Sequence, residues 1–197
     1  LASTLGNGTM TNDLVEFATD TDVFLLIGTN TSECHPIIAM QMQRGLQRGA
    51  KMIVVDPKRT DMAKKADIHL QIPIGANIKT LNTMMNVIIA ENLQDTEFIE
   101  KYSEGFEYLK EAVKDFTPER FERETGIKKE LIIEAARMYA KAGTAAICYT
   151  MGITQFSDGT SNVFSLSNLA VLTGNLGKKG AGVNPLQRSS LYYQSAP

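Results

Sequence analysis

Two short runs of apolar, β-prone residues, Val23-Phe24-Leu25-Leu26-Ile27 and Met52-Ile53-Val54-Val55, constrain the fold of this chain more than any other feature. Neither alternates with polar residues, so each reads as a strand covered on both faces, the habit of a parallel sheet. Between them Ile38, Met42 and Leu46 recur at helical spacing, Pro36 suits a first helical turn, and Gly49 stands where a left-handed C-terminal cap belongs. Strand, helix and strand in so short a stretch make a βαβ unit, which requires a parallel pair joined by a right-handed crossover.

The alternation continues along the chain. Asn12 is expected to cap a short helix carrying Leu14, Val15, Phe17 and Ala18 ahead of the first strand. A third strand is expected from Ile68 to Ile72, then Pro73-Ile74-Gly75-Ala76-Asn77 and a strong helix, capped by Asn77, that buries Leu81, Met84, Met85, Ile88 and Ile89. Residues 95–142 read as helical throughout: Thr96–Lys101, Phe106–Val113, a start at Thr117-Pro118-Glu119, and Lys128–Ala142. There Phe98, Tyr102, Phe106, Tyr108, Phe116, Met138 and Tyr139 are expected in the core, and the mixed charges from Glu119 to Glu134 in solvent. A further strand, Ala145–Tyr149, ends at Met151-Gly152. Thr160 or Ser161 then caps a helix with Val163, Phe164, Leu166, Leu169 and Leu172, and Gly174 to Pro185, with four glycines, reads as loop. The expected class is α/β: a Rossmann-like parallel sheet with flanking helices and a helical insertion, one region over residues 1–185 with a tail over 186–197.

Charge and cysteine content narrow the function. With 20 Lys+Arg against 22 Asp+Glu, the net charge of −2 argues against a global nucleic-acid footprint, so any anionic ligand must be held by local groups. Cys34 and Cys148 match no disulfide framework and no metal-ligand spacing, and read as buried reduced thiols. His35 and His69 are the only histidines, so no protein-built zinc or iron–sulfur site is expected. No apolar run reaches the ~18 residues that span a bilayer. A cytoplasmic protein is expected, with the periplasm as the alternative. Leu1 is not an initiator Met and no signal peptide follows it, which suggests a piece of something longer.

In an open parallel sheet the ligand crevice lies beyond the carboxyl ends of the strands. Four loops fall there, all on one sheet edge. Gly28-Thr29-Asn30-Thr31-Ser32-Glu33 permits close backbone approach and opens a helix N-terminus suited to phosphate, although it lacks the third glycine of the dinucleotide fingerprint. In Asp56-Pro57-Lys58-Arg59, Asp56 reads ribose hydroxyls or a guanine N–H pair, or else caps its own turn. Lys58 and Arg59 neutralise a diphosphate or are plain surface charge. The others are Gly75-Ala76-Asn77 and Met151-Gly152-Ile153-Thr154-Gln155, whose Gln155 has an amide able to read a heterocycle edge. Together they describe a site for an extended, phosphate-bearing heterocyclic ligand. Ser-His-Asp, HExxH and Walker patterns are missing.

Several segments in order carry a resemblance: Gly6-Asn7-Gly8-Thr9-Met10-Thr11-Asn12, Gly28-Thr29-Asn30 through Cys34-His35-Pro36, Val55-Asp56-Pro57-Lys58-Arg59, Ala66-Asp67-Ile68-His69, Asn86-Val87-Ile88-Ile89, Ala135 to Ala140, Met151 to Phe156, and Leu172-Thr173-Gly174-Asn175-Leu176-Gly177. In sequence and separation they resemble the central part of the catalytic subunit of molybdopterin oxidoreductases, most closely the formate dehydrogenase branch. The resemblance implies a holoenzyme that binds molybdenum or tungsten through two molybdopterin guanine dinucleotides and oxidises formate to carbon dioxide. It implies Gly28, Asn30 and Glu33 near phosphate and pterin. Val55, Asp56, Lys58, Arg59 and Asn77 would surround the guanosine, with Gly75 in the same loop as Asn77. Met151, Gly152 and Gln155 would lie toward the pterin.

The family's metal ligand, a cysteine or selenocysteine followed by His, would stand upstream of Gly6. Its iron–sulfur domain and the domain completing the second dinucleotide site would also lie elsewhere in the same subunit. Electron-transfer iron–sulfur subunits are the implied partners, and formate the implied small-molecule substrate. A piece of this kind is expected to hold cofactor weakly or be empty, and to be inactive alone. Three departures stand out. Lys58 replaces the usual arginine of Asp-Pro-Arg, Asn77 replaces an aspartate common among relatives, and Leu186-Gln187-Arg188-Ser189-Ser190 stands where the formate enzymes place a substrate-facing arginine and Gln-Asn-Asn. The alternatives are a scaffold subunit of an electron-transfer complex that has lost its cofactor, and the central domain of a thiamine diphosphate enzyme.

Overall fold

The structure is a computed structural model describing residues 2–6, 10, 11 and 13–186. The Asn12 cap, much of the Gly6–Asn12 segment, and Arg188 with its tail fall outside the described residues. After a one-turn helix α1 (Ala2–Leu5), α2 (Leu14–Thr19) is capped by Asp13, whose carboxylate accepts from Val15 N at 3.3 Å. Then come β1 (Val23–Ile27), α3 (Thr31–Cys34), α4 (Pro36–Arg48), β2 (Lys51–Val55), α5 (Asp61–Lys65) and β3 (Ile68–Leu70). The helical stretch follows as α6 (Asn77–Ala90), α7 (Thr96–Tyr102), α8 (Phe106–Val113), α9 (Pro118–Thr125) and α10 (Lys129–Ala140). The chain then returns through β4 (Ala145–Tyr149), α11 (Met151–Thr154), α12 (Gly159–Leu172) and β5 (Gly182–Pro185). No helix among the described residues is long and apolar enough to cross a membrane.

The five strands form one wholly parallel sheet in the order β3-β2-β1-β4-β5. All five residues of β1 are buried, which is why that run shows no polar alternation. Alternate residues face opposite layers. Val23, Leu25 and Ile27 join Ile53, Val55, Ile147 and Val183 against α6, α10 and α12, where Leu81, Met84, Ile132, Tyr139, Leu166 and Leu169 are buried. Phe24 and Leu26 join Met52, Val54, Ala146 and Cys148 against α2, α4 and α5, where Phe17, Ile38, Met42 and Met62 are buried. Each such side chain contributes ~1.5–3 kcal/mol on leaving water, so the central strands dominate the stability. Phe17 and Phe24 meet edge-on, centroids 5.9 Å apart, where α2 crosses the end of α4.

Several expectations need correction. The third strand stops at Leu70 and not at Ile72, because its partner β2 ends at Val55, which pairs with Leu70. The glycine-rich stretch is not all loop: β5 pairs with Ala146–Tyr149 at the sheet edge, where the missing N–H of Pro185 leaves no ladder bond broken. Asn77 is the first helical residue and makes no cap bond; Ala76 holds the cap position. Asp158, also without a side-chain cap bond, precedes α12 in place of Thr160 or Ser161. Met151–Thr154, read as loop, forms the single turn α11. Of the supposed core aromatics, Tyr139 is buried, but Tyr102 and Tyr108 are 65% and 84% exposed, because the small helices α7 and α8 cover the core with one face only. Cys34 is exposed, whereas Cys148 is buried on β4 and its thiol pKa is pushed up by desolvation.

The Glu119–Glu134 face is largely exposed, as expected, and part of it is also paired. Glu124 meets Arg120 Nε and Lys79 Nζ at 2.7 Å each, and Arg120, then Lys79, push its pKa down to about 2. The sign follows: a depressed carboxylate stabilises the fold above its unfolded pKa, and that contribution is lost as pH falls from the ordinary glutamate range toward 2. Glu124→Gln should therefore flatten the acid side of a denaturation-against-pH profile, modestly and less so in high salt. A packing test is Gly45→Ala, whose Cβ would lie 2.7 Å from the Phe17 carbonyl oxygen and 3.1 Å from the Phe24 ring. Overpacking of ~1–3 kcal/mol exceeds the ~1 kcal/mol that alanine gains in a helix, so urea denaturation should show a net loss.

Candidate functional site

The strand order reverses at β1. From β1 the chain steps outward to β2 and β3, then returns to β4 on the other side of β1, so the loops leaving β1 and β4 diverge and open a crevice. At its floor the two loops meet backbone to backbone at Gly28 and Gly152. A Cβ on Gly28 would fall 2.7 Å from the Gly152 carbonyl carbon, and one on Gly152 would fall 2.5 Å from the Gly28 oxygen. Gly28 has φ +57°, a left-handed conformation that glycine adopts without strain. Gly152 N and Thr150 Oγ1 both donate to the Gly28 oxygen, at 3.2 and 2.8 Å, and Gly28 N donates to Val55 O at 3.1 Å. Asn77 Nδ2 donates to Gly152 O at 3.3 Å. The amide expected to cap α6 instead ties the start of that helix to the loop after β4.

Above this floor lies a cavity of about 300 Å³, lined by Gly28, Thr29, Asn30, Asp56, Pro57, Ile72, Pro73, Ile74, Gly75, Asn77, Gly152 and Phe156. Of the residues singled out in the sequence, Gly28, Asn30, Asp56, Gly75, Asn77 and Gly152 come together on its wall. Val55 is buried just beneath, as the last residue of β2. Glu33, Lys58, Arg59, Met151 and Gln155 are exposed and do not line it; Gln155 Nε2 turns to Met151 Sδ at 3.2 Å. Reading residues by type passed over Thr150, whose hydroxyl bonds the floor, together with Phe156 and the Ile72-Pro73-Ile74 wall. Phe156 was visible only as part of a resembling segment. Two other hollows among the described residues, one between α7, α8 and α12 and one between α6 and α8, lie away from the strand ends.

Asp56 fulfils its local role: Oδ1 accepts from Lys58 N at 2.8 Å and closes the turn. Burial pushes its pKa above the ordinary carboxylate value, against the opposing effects of the Lys58 amide and the charges of His69 and Lys58. Its second oxygen has no hydrogen-bond partner among the described residues. The loop after β1 is further from satisfied. Asn30 Oδ1, Ser32 Oγ and His35 Nδ1 are buried without a partner, and burial lowers the His35 pKa so that the ring stays neutral. A buried polar atom left unpaired costs ~1–3 kcal/mol, so the loop after β1 carries hydrogen-bonding capacity that the described residues do not use. A glycine floor that admits no side chain, polar groups awaiting partners, and a carboxylate at the next loop fit a large, polar, phosphate-bearing molecule. Among the described residues no three or more His, Cys, Asp or Glu gather to hold a metal.

Parallel sheet, strand reversal and glycine floor define the chain as an α/β domain of the Rossmann-like type. A family model described as molybdopterin oxidoreductase matches residues 2–196, and the chain belongs to that family. This membership sets aside the thiamine diphosphate alternative. The chain is 51% identical to the F420-dependent formate dehydrogenase subunit alpha of Methanocaldococcus jannaschii over 189 residues, 95% of this chain and 28% of that protein. It is 46% identical to formate dehydrogenase H of Escherichia coli, over 95% of this chain and 26% of that protein. Among solved structures, acetylene hydratase from Pelobacter acetylenicus superposes with a TM-score of 0.78 at 33% identity, covering 83% of this chain and 23% of that one. The chain thus spans about a quarter of the length of the relatives it matches.

The floor makes a direct prediction. Gly152→Ala forces backbone against backbone, so a loss of at least ~1–3 kcal/mol is expected in urea denaturation, with faster amide hydrogen exchange at residues 150–153. Asn77→Asp sets a carboxylate against the Gly152 carbonyl and should loosen the same amides, more than Asn77→Ala does.

Proposed function

We propose that this chain is the part of a formate-oxidising molybdopterin enzyme that grips one molybdopterin guanine dinucleotide, and that it does not catalyse alone. The observation that carries this reading is the Gly28–Gly152 floor with the unpartnered Asn30 amide oxygen beside it. Along residues 1–185, the loop of Gly28, Asn30 and Glu33 receives phosphate and pterin. Asp56, Val55, Gly75 and Asn77 enclose the guanosine, and Lys58 and Arg59 meet the diphosphate from the rim. Met151, Gly152 and Gln155 face the pterin. A carboxylate suits guanine because N1–H and the N2 amine are two adjacent donors, whereas adenine offers an acceptor there. The metal, molybdenum or tungsten, supplies two-electron redox chemistry when bound: formate becomes carbon dioxide with release of one proton and two electrons. The rest of the subunit supplies the metal ligand, and iron–sulfur clusters outside this chain carry the electrons onward. The enzyme is read as cytoplasmic.

The experiment is made on the full-length protein: metal content, guanosine monophosphate released by acid hydrolysis, and formate-dependent dye reduction. Metal with guanine nucleotide in twofold excess, and dye reduction, is the expected result. Protein free of both metal and nucleotide would instead identify a scaffold that has lost its cofactor. Nucleotide and metal without formate oxidation would move the substrate to another branch. Asp56→Asn trades an acceptor for a donor against guanine, and nucleotide retention should fall roughly 10–100-fold. Retention by the unaltered protein should weaken as pH falls through the raised carboxylate range, because the bound base favours ionised Asp56.

A further inference from the structure

We infer that His69 and Gln71, two side chains on one face of the edge strand and its extension, are positioning residues for the Asp56 turn. They hold its backbone carbonyls and so fix the aim of the carboxylate. The inference rests on Asp56 reading the guanine, as proposed above.

The register supports the pairing. Ile68 and Leu70 point into the core under α6 and α10, so residues 69 and 71 take the opposite side. His69 Nε2 lies 3.0 Å from Asp56 O, and Gln71 Nε2 donates to Pro57 O at 3.0 Å. A carbonyl only accepts, so Nε2 of His69 carries the proton in this contact. Besides these, the turn is held by few bonds, Thr60 N donating to Lys58 O at 2.9 Å among them. Pro57 has no N–H, Asp56 N donates to Leu70 O at 3.2 Å, and Lys58 N is used by the Asp56 side chain itself. The two consecutive carbonyls would otherwise face solvent at the edge of the sheet, since Pro57, Lys58 and Arg59 are all exposed. The clamp therefore acts on direction more than on stability: each bond is worth only ~0.5–1.5 kcal/mol net, too little to hold the fold and enough to restrain a turn.

The test uses the full-length holoenzyme with His69→Leu, Gln71→Leu, the double variant, and His69→Gln, which keeps an N–H donor. Two readouts are taken: deuterium uptake over residues 56–60, and guanosine monophosphate retained per protein after gel filtration in mild urea. The leucine variants should raise uptake in the turn and the double variant should lower retention about tenfold, while His69→Gln restores most of both. Wild-type uptake and retention in both leucine variants would overturn the inference, as would His69→Gln behaving like His69→Leu. Gln71 is exposed, so its variant decides the matter even if His69→Leu fails to fold. Wild-type holoenzyme that releases no guanine nucleotide would instead overturn the assignment of Asp56, and with it any ligand role for the clamp.

Discussion

The contact on which the rest depends is the backbone crossing of Gly28 and Gly152. It sits at the ends of the two strands that flank the reversal of strand order, and it holds only because β1 is locked on both sides and both faces. In such a strand the register is not adjustable. A slip of one residue would turn Phe24 and Leu26 toward α6 and α10, and Leu25 and Ile27 toward α4. The apolar core therefore sets the position of Gly28 to within a fraction of a residue. Thr150 and Gly152 then add polar bonds to that fixed point, and Asn77 holds the Gly152 carbonyl in turn.

A consequence is that the crevice is built more from main chain than from charged side chains. The protein is slightly acidic overall, and the basic pair Lys58 and Arg59 stays at the periphery. On the proposed reading, phosphate would be met by peptide N–H groups at the loop ends, which provide a fixed positive field without reducing solubility. The polar side chains on its wall are themselves restrained: Asp56 by its own turn, Asn77 by the Gly152 carbonyl.

Fold class and strand identities were legible because burial on both faces leaves a plain signature. Val23–Ile27 and Ala145–Tyr149 stand as read, and the helix from Pro36 ends at Gly49 in the left-handed conformation its position suggested. What was hidden shares one cause. β5 has Gly182 and Pro185, residues that report a strand only when an edge position excuses them, and that position is a property of the whole sheet. Asn77 looked like a cap because local sequence cannot show the carbonyl of Gly152 arriving 75 residues later. Tyr102 and Tyr108 have helical spacing, but spacing cannot reveal that their helices have only one side to bury. At the site, Gly28, Asn30, Asp56, Gly75, Asn77 and Gly152 were legible as loop tips on one edge. Thr150 and Phe156 were not, since nothing in a hydroxyl or a ring announces which crevice it borders.

The floor of the crevice joins positions 122 residues apart, with the whole helical stretch strung between them. During synthesis the first βαβ unit leaves the ribosome long before the residues that close the floor, so the crevice cannot exist until translation has passed Gly152.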